Sequence, residues 1–232
     1  MLALGFSPRF LRFAAACAAG SAITTLGVHL LPRLWPQAQT FEQQLLYPTY
    51  PAYRVYLWVV LTHIVLVWIS MVGLGAIRLK RSAGPVVIGM LGFLLFGLSE
   101  LVRTSFVKFT VNAWRVQYAA ESNEAVKAMF RNHLHAWPQI NSFLFFLLCP
   151  GFLIGNLSYG IAFWNTIRLE RVLSGALLAW AVLTVTVICR EYLGVAWLDF
   201  IPEWTSWTYQ PAVRFLAAVV IWRAAGESPS AG

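Results

Sequence analysis

The stretch that decides the fold is residues 84–121, GPVVIGMLGFLLFGLSELVRTSFVKFTVNAWRVQYAAE. It begins as an apolar run and then becomes polar, with no proline after its first turn until Pro138. Proline is the strongest helix breaker, so a helix that starts here is expected to continue past its apolar part. The sequence therefore predicts a membrane span over about residues 85–104 that leaves the bilayer carrying Glu100 and Arg103.

The composition indicates a membrane protein. Of the 232 residues, 59% are hydrophobic and only 11% are charged, whereas soluble domains carry about 25% charged residues. The excess of 17 Lys and Arg over 9 Asp and Glu would suit nucleic acid in a soluble protein. Here the basic residues occupy short loops and span ends, as the positive-inside rule requires, and we expect no nucleic-acid partner.

The fold class predicted is an all-α polytopic membrane protein of six transmembrane helices, with no soluble domain. The other spans are about residues 10–31, 55–77, 139–164, 172–194 and 204–223. Lys and Arg gather at the termini and in the second and fourth loops, which predicts an N-in, C-in orientation. The localisation expected is the inner membrane, multi-pass, with both termini cytoplasmic and the lipid bilayer as the first partner.

The connection after the third span is predicted to be an extramembrane helical hairpin. Its first arm continues the third span, and Ser122 is the candidate N-cap of its second arm. That second arm, about residues 123–136, has apolar residues at spacings of three and four and basic residues on its other face, as in an amphipathic helix. Pro138 is expected to open the fourth span and Pro150 to kink it.

Several ionisable side chains fall inside the predicted spans, where each costs at least about 2.5–3.5 kcal/mol and marks a site or a structural pair. With a helical rise of about 1.5 Å per residue, all of them lie in the outer half of the bilayer. Arg214 lies closest to the bilayer centre. The candidate polar cluster consists of His63, Glu100, Arg103, Arg190, Glu191 and Arg214, with His29 at the same level.

Two interpretations of this cluster remain open. In the structural one, Glu100 pairs with Arg103 on its own helix, and Arg214 pairs with Glu100 or Glu191 across a helix interface. In the ligand-binding one, Arg214 and Arg103 bind an anionic or carbonyl group, and Glu100 is the proton acceptor or counter-charge. The sequence favours the structural interpretation.

The sequence offers no catalytic residues, and neither a metal nor a cofactor is expected. It lacks a G-x-S-x-G elbow and a phosphate-binding loop, and its three cysteines fall singly in apolar runs. His133 and His135 are two residues apart on a helix and cannot share a metal. The least favoured alternative is a haem held between His29 and His63.

Small and aromatic residues indicate two kinds of surface. The small-residue positions expected to form helix–helix contacts are Gly89, Gly92, Gly97, Gly151 and Gly155. Seven tryptophans near the outer membrane interface are typical of an aromatic belt: Trp35, Trp58, Trp114, Trp137, Trp197, Trp204 and Trp207.

Two functions of different classes are compatible with these features. The first is a non-enzymatic scaffold or accessory subunit that docks partner membrane proteins or lipids through its aromatic surfaces and outer helix. The second is a small-molecule binding protein, transporter or membrane enzyme with an outer-leaflet pocket around the candidate polar cluster, for an anionic, quinone-like or lipid ligand. The short chain, without repeats or a catalytic constellation, favours the scaffold.

Overall fold

The described part of the chain is built from helices. The structure, a computed structural model, describes residues 6–166, 168–195, 197–198 and 204–227, and no β-strand occurs among them. The α-helices are α1 Pro8–Leu30, α2 Phe41–Leu45, α3 Pro51–Arg78, α4 Ala83–Ser105, α5 Asn112–Ala120, α6 Glu124–Trp164, α7 Leu169–Leu193 and α8 Trp204–Glu227. Short 3-10 turns, Leu31–Leu34 and Tyr47–Thr49, follow α1 and α2, and a π-helical segment, Phe106–Val111, joins α4 to α5.

Five helical segments are long and apolar enough to cross a membrane. They are Pro8–Leu34, Pro51–Arg78, Ala83–Ala120, Glu124–Trp164 and Leu169–Leu193, and they contain the first five predicted spans to within a residue. The sixth predicted span corresponds to α8, which is not among them, because its first eight residues, WTSWTYQP, are polar or weakly apolar and Arg214 follows. The all-helical class is confirmed, and the sixth span stays a prediction.

The six long helices form a ring. α1 packs against α3, α3 against α4, α4 against α6 and α6 against α7, and α8 returns to pack along α1. α7 and α8, which complete the ring, touch each other much less than most of the other neighbours do. The upper end of the bundle is the one where α1, α4 and α7 terminate and where α3 and α8 begin. The opposite end is the lower end.

Glycines bring α4 and α6 into backbone contact. A Cβ at Gly92 would lie 2.5 Å from the backbone nitrogen of Gly155, and a Cβ at Gly151 would lie 2.6 Å from the backbone nitrogen of Phe96. A side chain at either position would therefore force the two helices apart. The glycine-mediated helix contacts predicted from the sequence are confirmed at this interface, and Gly97 likewise lies directly against the indole of Trp68.

The second arm of the predicted hairpin and the fourth predicted span are one helix, α6, which corrects the boundary expected at Pro138. Both Pro138 and Pro150 lie inside α6. A proline removes one backbone hydrogen bond and crowds one carbonyl, and helices packed in a bundle tolerate this where their neighbours support them. The N-cap is Asn123 rather than Ser122: its Oδ1 accepts hydrogen bonds from the backbone N–H groups of Ala125 at 2.9 Å and Val126 at 3.4 Å.

Candidate ligand-binding cavity

A cavity of about 890 Å³ occupies the upper part of the ring. Its volume falls within the ~300–1,000 Å³ typical of sites for small molecules and cofactors. The cavity brings together most of the ionisable residues predicted to meet in the outer half. Those lining it are His29, His63, Glu100, Arg103, Arg190 and Arg214, whereas Glu191 is not part of its lining.

Much of the remaining wall is apolar and aromatic. α3 contributes Val60, α4 contributes Phe96, α6 contributes Phe145 and Phe152, and α7 contributes Trp180. Such a lining favours the hydrocarbon part of a ligand, while the arginines and histidines favour a polar group. The cavity is therefore amphipathic.

Glu100 and Arg103 form an ion pair within α4. The Arg103 Nε donates to Glu100 Oε2 at 2.8 Å and its Nη2 donates to Oε1 at 2.6 Å. The pair is held further by Asn141, whose Oδ1 lies 3.4 Å from the Arg103 Nη1. The pairing at a spacing of three residues, predicted from the sequence, is confirmed, and it uses both oxygens of the Glu100 carboxylate.

Arg190 and Glu191 also pair with each other. The Nη2 of Arg190 lies 2.8 Å from Oε1 of Glu191, and its Nε donates to the same oxygen at 2.9 Å. Glu191 is exposed. The two carboxylates predicted as partners of Arg214 are therefore paired with other arginines.

Arg214 is buried without an acidic partner among the described residues. Its residue surface is 3% exposed, and its guanidinium carbon lies 5.2 Å from the centroid of the Trp180 ring. Within the described ranges it forms no ion pair, and its Nε has no hydrogen-bond partner. The predicted pairing of Arg214 with Glu100 or Glu191 is wrong, because Glu100 pairs within α4 and Glu191 pairs with its neighbour in α7. A buried charge without a partner is costly, so the surroundings of Arg214 require an explanation.

The two histidines predicted at this level line the same cavity. The Nδ1 of His63 lies 2.8 Å from the hydroxyl oxygen of Thr24 on α1. A hydrogen bond at one ring nitrogen fixes the orientation of an imidazole, so His63 presents a positioned polar edge to the cavity. No group of three metal-ligating side chains occurs among the described residues, and haem ligation by His29 and His63 stays a prediction.

The lining residues that were not predicted as part of the polar cluster include Arg33, Trp180 and Gln210. The guanidinium of Arg33 lies 5.5 Å from the ring centroid of Trp207. A spacing of four residues would have found two of them, because Arg33 follows His29 and Gln210 precedes Arg214 at that spacing. Trp180 carries no such signal, since a tryptophan inside an apolar span looks like ordinary packing.

The tryptophans expected in an aromatic belt have different surroundings. Trp35 and Trp207 line the cavity. Trp58 is exposed and lies 4.0 Å beneath the Nζ of Lys108, and Trp197 is exposed as well. The side chain of Trp204 lies outside the described part of the structure. At least two members of the predicted belt therefore face inward.

A second buried arginine, Arg115, lies in what we call the aromatic cap: Trp35, Tyr47, Tyr53, Asn112 and Arg115. The Nη1 of Arg115 donates to the Tyr53 hydroxyl at 3.0 Å and to the Asn112 Oδ1 at 2.9 Å. Its guanidinium carbon lies 5.1 Å from the centroid of the Tyr47 ring. Trp35 packs edge-on against Tyr53 with centroids 5.5 Å apart, which connects the cap to the cavity wall.

No protein-family model matches the chain, and comparisons with curated proteins and with solved structures find no match. The function is therefore argued from the geometry of the cavity.

Proposed function

We propose that this protein is a multi-pass membrane protein that binds an amphipathic anion in the cavity. Arg214 carries the proposal, because it is 3% exposed, lines the cavity and has no acidic partner among the described residues. A guanidinium stays protonated even when buried, so its charge is stabilised by anions or acceptors. A ligand anion in the cavity would supply what the described side chains do not.

The membrane setting of this proposal includes α8 as a sixth span. The outward side of α8 exposes Phe215, Val219 and Trp222, as expected of a helix that faces lipid. The basic loops lie at the lower end, so the positive-inside rule favours cytoplasmic termini and puts the cavity in the outer half of the inner membrane. The apolar lining then continues the hydrocarbon environment into the bundle.

In the scaffold role that the sequence favoured, the charges of the candidate polar cluster would be structural. Glu100 with Arg103 and Arg190 with Glu191 follow that expectation. Arg214 departs from it, and it does so at the wall of a cavity large enough for a ligand. We therefore rank ligand binding ahead of the scaffold role, which stays a prediction.

The test is a titration of the purified protein, in a nonionic detergent, with 11-(dansylamino)undecanoic acid, a fluorescent carboxylate on an apolar chain. We expect saturable binding that oleate displaces and that oleyl alcohol, which has no charge, does not. Arg214→Met should weaken binding at least about tenfold, since a charge-assisted hydrogen bond contributes about 1.5–3 kcal/mol and about 1.4 kcal/mol is tenfold. Arg223→Met is the matched control, because Arg223 is an exposed arginine on the same helix.

Two outcomes would overturn the proposal. The first is absence of saturable binding, or binding that Arg214→Met leaves unchanged. The second concerns Asp199 and Glu203, which lie outside the described residues. Asp199→Asn and Glu203→Gln are expected to leave thermal stability unchanged, and a marked loss in either would indicate that the chain itself supplies the carboxylate for Arg214.

A further inference from the structure

The arginines of the cavity carry more positive charge than the carboxylates of the described residues balance. Arg33, Arg103, Arg190 and Arg214 all line it. Arg103 pairs with Glu100 and Arg190 pairs with Glu191. Within the described part of the chain, Arg33 and Arg214 take part in no ion pair. Among the described residues, two positive charges therefore have no carboxylate partner, one on the buried Arg214 and one on the exposed Arg33.

Both of these arginines lie over tryptophan rings. The guanidinium carbon of Arg33 is 5.5 Å from the Trp207 centroid, and that of Arg214 is 5.2 Å from the Trp180 centroid. Stacking on a ring uses the face of the guanidinium and leaves the N–H groups at its edge for acceptors. Guanidinium edges match the oxygens of phosphate groups, and two guanidinium groups match a phosphate monoester, which carries close to two negative charges above its second pKa of about 6.

Among the described helices, the ring is least complete beside the upper part of α7. The Tyr209 hydroxyl donates to the carbonyl of Ala176 at 2.7 Å, which brings these two residues to one level. From there α7 continues for 17 residues to Leu193, about 25 Å, whereas α8 reaches back only five residues to Trp204, about 8 Å. The upper part of α7 therefore extends beyond the start of α8, and α8 does not cover this part of α7 among the described residues.

From these observations we propose that the ligand is a lipid with a phosphate monoester headgroup. Its phosphate lies between Arg33 and Arg214, and its hydrocarbon chain lies along the apolar wall and leaves beside the upper part of α7. This inference rests on the proposed function, since it names the chemical class of the anion. The same phosphate chemistry could come from a lipid headgroup or from free phosphate, and the test separates the two.

The test compares displacement of the dansyl probe at pH 8 by dodecyl phosphate, laurate and inorganic phosphate. Dodecyl phosphate and laurate have matched chains but carry about two charges and one charge, respectively. We expect dodecyl phosphate to bind at least about tenfold more tightly than laurate. Inorganic phosphate at millimolar concentration should displace no probe.

Arginine variants identify the residue that binds the second negative charge of the phosphate. Arg33→Met should reduce the preference for dodecyl phosphate to within about threefold while changing laurate affinity by less than about twofold. Arg214→Met should weaken both ligands. Arg54→Met is the control, because Arg54 is an exposed arginine at the upper end that does not line the cavity.

The outcomes separate this inference from the function on which it rests. Equal affinities for dodecyl phosphate and laurate, or a preference that Arg33→Met leaves intact, would overturn the phosphate inference while anion binding stands. Displacement by inorganic phosphate as effective as that by dodecyl phosphate would overturn the lipid source. Failure of every anion to bind would overturn the proposed function itself.

Discussion

Arg115 in the aromatic cap and Arg214 in the cavity wall are two buried arginines with similar aromatic support and different partners. The residues are 7% and 3% exposed, and both guanidinium groups lie over an aromatic ring. Arg115 donates to a tyrosine hydroxyl and an asparagine oxygen. The Nε of Arg214 has no acceptor in the described part of the chain. Arg115 therefore has its acceptors within the fold, whereas we propose that a ligand supplies one for Arg214.

The difference shows that burial alone does not identify a functional charge. Burying a guanidinium is tolerated when neutral acceptors and a ring replace its hydration, and Arg115 has both. The same is true of Arg78 at the lower end, whose Nε donates to the carbonyl of Ala162 at 3.0 Å and which lies over the ring of Phe163. Arg214 lies over a ring, but its Nε has no acceptor among the described residues. The unsatisfied donor at a cavity wall is what distinguishes it.

The largest loss of thermal stability is expected at the Glu100–Arg103 ion pair in the cavity wall. Arg103→Met would remove the two hydrogen bonds that Arg103 donates to the carboxylate of Glu100, a residue that is 7% exposed, and would leave only the one from Thr104. Removing one partner of a buried pair costs about 3–5 kcal/mol, which for a chain of this size lowers Tm by about 10 °C. Thermal unfolding in detergent, followed by tryptophan fluorescence, measures the change. The double variant Glu100→Gln/Arg103→Met should recover most of the loss, and failure to recover would show that the unpaired carboxylate was not its cause.

A smaller loss is expected in the aromatic cap. Arg115→Met removes the donor to Tyr53 and Asn112, and hydrogen bonds that involve a charged group contribute about 1.5–3 kcal/mol. We expect Tm to fall by about 5–8 °C, while affinity for the dansyl probe changes by less than about twofold. Arg54→Met, at an exposed position, serves as the control and should leave Tm unchanged. An unaltered Tm in Arg115→Met would show that Arg115 does not stabilise the fold, and Arg115 and Arg214 would then not differ in role.

The smallest effect, a change in probe affinity, is expected at Trp180, whose ring lies beneath Arg214. Trp180→Phe keeps an aromatic ring but weakens the cation–π interaction, which is strongest for tryptophan and contributes about 0.5–2 kcal/mol. Probe affinity should fall by about two- to fivefold, measured by the same titration. Trp222→Phe, at an exposed tryptophan of α8, should leave it unchanged. Equal losses in the two variants would indicate that Trp180 does not position Arg214 for the ligand.

Much of the fold, and most of the ionisable residues that line the cavity, could be predicted from the sequence. Apolar length predicts spans directly, and five of them correspond to helices of suitable length and composition. The constant rise of a helix converts position into depth, which is why charges on different spans were expected at one level and do line one cavity. The Glu100–Arg103 pair followed from its spacing alone.

The partners of the remaining charges could not be predicted, because they depend on which helices are neighbours. The structural interpretation paired Arg214 with Glu100 or Glu191, but spacing along one helix contains no information about the order of helices in the ring. The start of α6 was misplaced for a related reason: Pro138 weakens a helix locally, whereas packing against neighbours, absent from the sequence pattern, keeps it continuous.

The role of Arg214 is tested most directly by the Tm of the ligand-free Arg214→Met variant, compared with that of the delipidated wild-type protein. Replacing a buried charge that lacks a protein counter-ion by an apolar side chain of similar length is often neutral or stabilising. We therefore predict a Tm equal to or higher than that of the wild type. A Tm lower by about 5 °C or more, as expected for Arg115→Met, would make Arg214 a structural residue and contradict its assignment to a ligand.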